Sequence, residues 1–150
     1  MEIQITDARE DLLPQIMEIE RQCFSVPWTE AMLRAQLDPE RHVFLAAEAG
    51  GAVVGYVGLM YVLDEGYVSN VAVRPEARRQ GVAEALLAEL EARARVKRLS
   101  FLTLEVRSGN AAAIALYEKR GYRVAGRRKN YYEKPAEDAI LMTLTLDYGD

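Results

Sequence analysis

Scarcity is informative in this chain: it has one cysteine, Cys23, and one histidine, His42. A lone cysteine closes no internal disulfide, and one His with one Cys gives too few ligands for a His/Cys metal site, so no metal is expected. The apolar stretches are strand-sized and interrupted, well short of the roughly 18 to 20 residues a membrane span requires. The opening Met-Glu-Ile-Gln-Ile has no basic region followed by an apolar core. No secretory signal and no membrane partner are therefore expected, and a cytoplasmic location is. Repeats, low-complexity tracts and Gly/Ser/Pro-rich linkers are also lacking, which predicts a single domain over residues 1–150. Basic residues are outnumbered, 19 against 23, for a net charge of -4, which argues against general nucleic-acid binding.

What is present suits a folded domain with its own core, with 50% of residues hydrophobic and 28% charged. Residues 2–6 alternate as a short strand. Asp11 is placed to cap a helix that tolerates Pro14 in its first turn and carries Leu12, Ile16, Ile19 and Cys23 on one face. That series predicts a buried structural Cys23, and His42 reads as a surface or satisfied histidine at a strand entry. Phe24-Ser-Val-Pro-Trp28 is a bulky turn that suits either a binding lip or a seal over the core, and Thr29 can cap a second helix through about Leu37. Val43–Glu48, Gly50-Gly51 and Ala52–Leu63 read as a hairpin. A strand over Tyr67–Val73 ends at Arg74-Pro75, which cannot continue a ladder.

Beyond that loop, Gly81 to about Arg95 is helical, with Val82, Leu86, Leu90 and Ala94 as its apolar stripe. Leu99–Val106 is a strand. Asn110 caps a helix over Ala111–Arg120 that stops at Gly121. Tyr122–Gly126 and Ala139–Leu146 supply two more strands around Arg127–Asp138. The central strand-helix-strand crossover makes part of the sheet parallel. An α/β architecture follows, with a mixed sheet of about six to seven strands and helices on both faces. Ligands of such sheets bind at the carboxyl ends of strands.

One segment carries chemistry: Asn70-Val-Ala-Val-Arg-Pro-Glu-Ala-Arg-Arg-Gln-Gly81-Val-Ala83. A strand end leads through an arginine-rich turn to a glycine that opens a helix. Unpaired N–H groups at a helix start, the helix dipole and the missing side chain at Gly81 together make an anion cradle fit for a pyrophosphate. The segment has neither the Gly-Lys-Ser/Thr of a Walker loop nor a Gly-x-Gly-x-x-Gly fingerprint. By physics alone it is equally an ordinary strand-to-helix turn.

Arg78-x-x-Gly81-x-Ala83 resembles the Gln/Arg-x-x-Gly-x-Gly/Ala signature of the GCN5-related N-acetyltransferase (GNAT) family, with Ala83 where glycine is frequent. The order of elements is similar to that fold along essentially the whole chain. Leu104-Glu-Val-Arg107, Asn110 to Tyr122, Arg128-Lys-Asn-Tyr131-Tyr132 and Glu137-Asp-Ala-Ile-Leu-Met142 resemble its bacterial RimI type, the ribosomal-protein-alanine N-acetyltransferases. The resemblance implies acetyl-CoA as cosubstrate. It implies pantetheine contacts from the backbone of Val71, Ala72 and Val73, and pyrophosphate contacts from Arg78, Arg79, Gln80, Gly81, Val82, Ala83 and Glu84. Asn110 would reach the pantetheine arm as well as cap its helix.

The same resemblance makes Glu105 the general base and Tyr117 the general acid, and gives Tyr131 and Tyr132 to the peptide acceptor, for which Trp28 in the bulky turn is a further candidate. Ordinary strand packing also explains one of the tyrosine pair. The implied acceptor is a protein N-terminus, the alanine of the eighteenth small-subunit ribosomal protein. Acidic residues such as Glu65, Glu133 and Asp138 are candidates to attract a basic ribosomal tail. Three other functions use the same features: acetylation of a lysine or small amine, a catalytically silent acyl-CoA sensor, and a nucleotide-binding module.

Overall fold

Alternation along one strand decides the layering. In β2 (His42–Ala49), Val43, Leu45 and Ala47 enter one apolar cluster while Phe44 and Ala46 enter another, so both faces of the sheet are covered. The computed structural model describes residues 1–149. Its remaining elements are β1 (Gln4–Asp7), α1 (Leu13–Cys23), α2 (Glu30–Ala35), β3 (Ala52–Val62), β4 (Glu65–Val73), α3 (Val82–Val96), β5 (Phe101–Arg107), α4 (Ala111–Lys119), β6 (Arg123–Tyr132) and β7 (Glu137–Thr145). The seven strands lie in the order β1-β2-β3-β4-β5-β7-β6. Only the β4–β5 pair is parallel, as the β4–α3–β5 crossover requires.

The predicted stripe of α3 is buried as a unit, with Leu86, Leu90 and Ala94 at 0% exposure, against Val57 and Leu59 of β3 and Leu102 and Leu104 of β5. Each such leucine contributes roughly 1.5 to 3 kcal/mol by leaving water. On the opposite face, Ile16 and Ile19 of α1 pack with Tyr56 and Ala72. Close approach at the centre depends on Gly55, where an added Cβ would stand 2.8 Å from the Ala72 carbonyl oxygen and 3.0 Å from a methyl of Val82. The buried carboxylate of Glu91 pairs at 2.6 Å with the half-buried Arg120, which ties α3 to the end of α4.

Thr29 and Asn110 cap α2 and α4 as predicted, each accepting a backbone N–H at 3.2 Å. Asp11 does not cap α1. A 3-10 turn over Glu10–Leu12 intervenes, Leu12 takes the cap position, and Asp11 pairs with Arg9 instead. α2 stops at Ala35, before the expected Leu37, and Gln36 turns inward to accept from Ser69. The largest departure is β6, which continues past Gly126 to Tyr132 because Arg127 and Arg128 find ladder partners in Ile140 and Ala139 of β7. Among the described residues no helix is long and apolar enough to cross a membrane.

Candidate active site

β4 and β5 pair only over Glu65–Tyr67 and Phe101–Thr103. Past that point the two strands part, and Val68–Val73 faces Leu104–Arg107 across a gap. Arg74 N–H donates to the Val54 carbonyl at 2.8 Å, and Ala72 stands opposite Tyr56. Antiparallel alternation then turns Ala72's peptide groups toward β3 and those of Val71 and Val73 into the gap. Ala72 is thus a correction to the expected backbone trio: its peptide belongs to the sheet. The Val73 carbonyl accepts from the Cys23 thiol at 3.3 Å and from Arg78 Nε at 3.2 Å.

The gap opens at one end onto the Arg78–Ala83 turn. Arg79 and Gly81 adopt positive φ of 63° and 81°, which reverses the chain into α3. The first N–H of α3 with a backbone partner is that of Ala85, bonded to the Gly81 carbonyl at 3.0 Å; those of Val82, Ala83 and Glu84 face a cavity of about 290 Å³. Arg78, Arg79 and Gly81 line the same cavity, and Leu116 of α4 closes it. The Glu84 carboxylate, an unfavourable neighbour for an anion, is held by Lys119 at 3.1 Å and Arg120 at 3.7 Å. The Gln80 side-chain amide donates to the Glu76 carbonyl at 3.3 Å, which holds the turn.

At the other end lies a larger cavity of about 620 Å³ that gathers Trp28, Val71, Glu105, Asn110, Tyr117, Tyr131 and Tyr132 on its walls. Leu104 and Val106 are buried toward α3, so strand alternation directs the Glu105 carboxylate to the opposite face. Arg128 Nε stands 3.3 Å from Glu105 Oε2, a contact available only because β6 extends so far. Tyr117 is 8% exposed, and its hydroxyl has no protein partner among the described residues. Burial pushes its pKa up to about 12. Tyr132 is likewise raised to about 12 by burial, then by the nearby Glu105 charge.

Arg107 fixes the outer wall. Its guanidinium donates to the Glu133 carbonyl at 2.9 Å, the Pro135 carbonyl at 3.0 Å and Glu137 at 3.1 Å, and lies 4.5 Å over the Tyr132 ring. Glu137 also takes the Gly109 N–H at 2.6 Å, which holds the turn before Asn110. Phe24 and Trp28 serve both readings of the lip, packing on the second core while lining the cavity. Cys23 packs against the core of Leu12, Ile16 and Ile19 as expected, but it is half-buried and not fully buried, because its other side lines the cavity. His42 is satisfied, its Nδ1 lying 3.1 Å from the Asp38 carbonyl.

Of the acidic trio, only Glu133 lines the cavity. Glu65 accepts from the Tyr67 hydroxyl and Asp138 pairs with Arg127 at 2.7 Å. The sequence reading missed Glu20, which is 1% exposed and lines the large cavity. A signal existed: Glu20 follows Ile16 by four residues, which sets a carboxylate on the apolar face of α1. Arg128 had no comparable local signal.

Set beside known proteins, residues 13–122 match the family model described as Acetyltransferase (GNAT) family. The [Ribosomal protein bS18]-alanine N-acetyltransferase of Escherichia coli strain K12 is 38% identical over 136 residues, 89% of this chain and 91% of that one. The enzyme of the same name from Haemophilus influenzae is 35% identical over 135 residues, 88% and 91% of the two chains. The crystal structure of the ribosomal-protein-S18-alanine N-acetyltransferase from Escherichia coli superposes with a TM-score of 0.92 at 34% identity, covering 99% of this chain and 97% of that one.

Proposed function

The chain belongs to the acetyltransferase (GNAT) family, and from that premise we propose that it moves the acetyl group of acetyl-CoA onto the α-amino group of a protein N-terminus, the N-terminal alanine of ribosomal protein bS18. A ribosomal acceptor sets the enzyme in the cytoplasm. The observation that carries the reading is the parting of β4 from β5, with unpaired N–H groups at one mouth and Glu105 and Tyr117 at the other. The acceptor assignment is supported by two relatives of that name, each similar along most of its length.

The residues suit the cofactor. The first-turn N–H groups of α3, with Arg78 and Arg79, would hold the pyrophosphate. The Val71 peptide and the Val73 N–H would pair with the amides of the pantetheine arm as a neighbouring strand would, and Asn110 would approach the same arm. When bound, acetyl-CoA supplies an activated thioester carbonyl. The protein then has to orient an amine, take its proton and ease the departure of sulfur.

An α-amine has a pKa near ~8, so a useful fraction is already neutral at physiological pH, whereas a lysine side chain near ~10.4 is almost wholly charged. A modest base suffices, and Glu105 accepts the proton directly or through a water. Tyr117 acts by hydrogen bonding. A phenol at about 12 is a poor proton source for a thiolate near ~8.5, and full transfer would be uphill by about 5 kcal/mol. A hydrogen bond to developing charge needs no such transfer.

Tyr117→Phe is therefore expected to lower kcat on the order of 10²-fold with the acetyl-CoA KM unchanged, measured by steady-state thiol release. Undiminished turnover would remove Tyr117 from the mechanism. The acceptor is tested with a panel: a peptide carrying the bS18 N-terminus, an N-blocked lysine peptide and a polyamine. The bS18 peptide should have the highest kcat/KM; equal or better use of the blocked lysine peptide would overturn the acceptor assignment.

A further inference from the structure

Among the described residues two carboxylates, Glu20 and Glu91, are almost completely buried, and one of them has a counter-ion. Glu91, 3% exposed, is answered by Arg120 at 2.6 Å. Glu20, 1% exposed, has no basic side chain within ion-pair distance among the described residues. Its donors are all neutral. The Trp28 N–H reaches Oε2 at 2.8 Å, the Asn70 amide approaches Oε1 at 3.1 Å and Oε2 at 3.4 Å, and the Tyr56 hydroxyl donates to Oε1. Burial pushes the Glu20 carboxyl above its ordinary range, and the Trp28 and Asn70 N–H donors, which serve both oxygens, pull it back toward the ionised form that an arriving cation would complete. A buried anion lacking a partner is costly, and here the missing cation has a way in, because Glu20 forms part of the wall of the 620 Å³ cavity.

The neighbours of Glu20 say which cation. Trp28 belongs to the lip over the acceptor cavity, and Asn70 immediately precedes Val71, whose peptide faces the cofactor gap. Of the other two carboxylates on the cavity wall, Glu105 already faces Arg128 at 3.3 Å, and Glu133 belongs to the outer segment whose backbone Arg107 holds, away from the Trp28 lip and Val71. An N-terminus enters mostly as an ammonium ion. Once acetylated it is a neutral amide.

We propose that Glu20 is the anion that receives the acceptor's α-ammonium, a specificity-determining residue that separates a free N-terminus from an acetylated one. The proposal rests on the α-amine reading above. The ammonium is drawn to the Glu20 side of the cavity with all its protons, and gives one up only at Glu105. Acetylation abolishes the charge that Glu20 holds, so the same residue favours entry of substrate and departure of product.

The test compares two constants: the KM of an alanine-starting peptide and the Ki of its N-acetylated form. In Glu20→Gln the KM should rise on the order of 10-fold while the product Ki and the acetyl-CoA KM stay within about twofold. Equal rises in KM and Ki would overturn the proposal, since that is what loss of lip shape alone produces; an unchanged KM would overturn it too. The double variant Glu20→Gln/Asn70→Asp moves the carboxylate to the other end of the same hydrogen bond. It should recover most of the lost affinity for free amine, and it carries the test should Glu20→Gln fold poorly. A double variant as indifferent to amine charge as the single one would count against the proposal. Failure of the wild-type protein to acetylate any α-amine would instead sink the acceptor reading, and is seen before any variant is made.

Discussion

Glu105→Gln is expected to reduce kcat by about 10²- to 10⁴-fold with little change in the KM for acetyl-CoA. Glutamine keeps the size and planarity of the side chain but has no useful affinity for a proton. The carboxylate is about one-third exposed at the end of β5 and its one charged partner, Arg128, is more exposed still, so the substitution removes no packed group from either core. Melting temperature should accordingly be unchanged within about 2 °C. Steady-state rates on the bS18 peptide at saturating acetyl-CoA provide the measurement. Turnover within a few-fold of wild type would mean that another group, or water alone, takes the amine's proton.

Gly55→Val should act through packing, with its largest effects on stability and cofactor affinity. The new Cβ would meet the Ala72 carbonyl at 2.8 Å, a Val82 methyl at 3.0 Å and a Leu86 methyl at 3.3 Å, so neither the strand on one side nor the helix on the other can accept it without moving. Overpacking of this kind costs about 1 to 3 kcal/mol, which in a domain of this size lowers the melting temperature by roughly 2 to 12 °C. Movement of β4 at Ala72 carries Val71 and Val73 with it. The acetyl-CoA KM should rise on the order of 10-fold, because displacing a positioning element by about 1 Å is enough for large losses. A variant that melts and binds cofactor like wild type would show that the approach of β3 to β4 is not what sets the gap.

Much of the fold was legible because its signals are local. The α3 stripe, the Thr29 and Asn110 caps and the β4–α3–β5 crossover each lie within one short stretch of chain, and the signature from Arg78 to Ala83 combines a glycine at positive φ with a helix start. What failed was non-local. β6 is an edge strand exposed along nearly its whole length, so no apolar alternation marks its second half, and only pairing with β7 shows it to be a strand. Nothing local encodes the insertion of β7 between β5 and β6, the arrangement that brings Arg128 to Glu105. Glu20 announced itself weakly, as one charge on an apolar face, and its meaning came from Tyr56, Trp28 and Asn70, which are scattered through the sequence.

The parted strands make the sheet two leaves, β1–β4 and β5-β7-β6, joined edge to edge through three residue pairs. Glu20 and Trp28 stand with the first leaf, and Glu105 and the two tyrosines with the second. With the roles proposed above, the distance from the carboxylate that would receive the amine to the one that would deprotonate it is a spacing between leaves, and whatever lies along the opening would hold that spacing. On the proposed reading, acetyl-CoA lying along that opening would be a spacer as well as a donor, its long, unreactive arm keeping the two halves of the acceptor site at working distance.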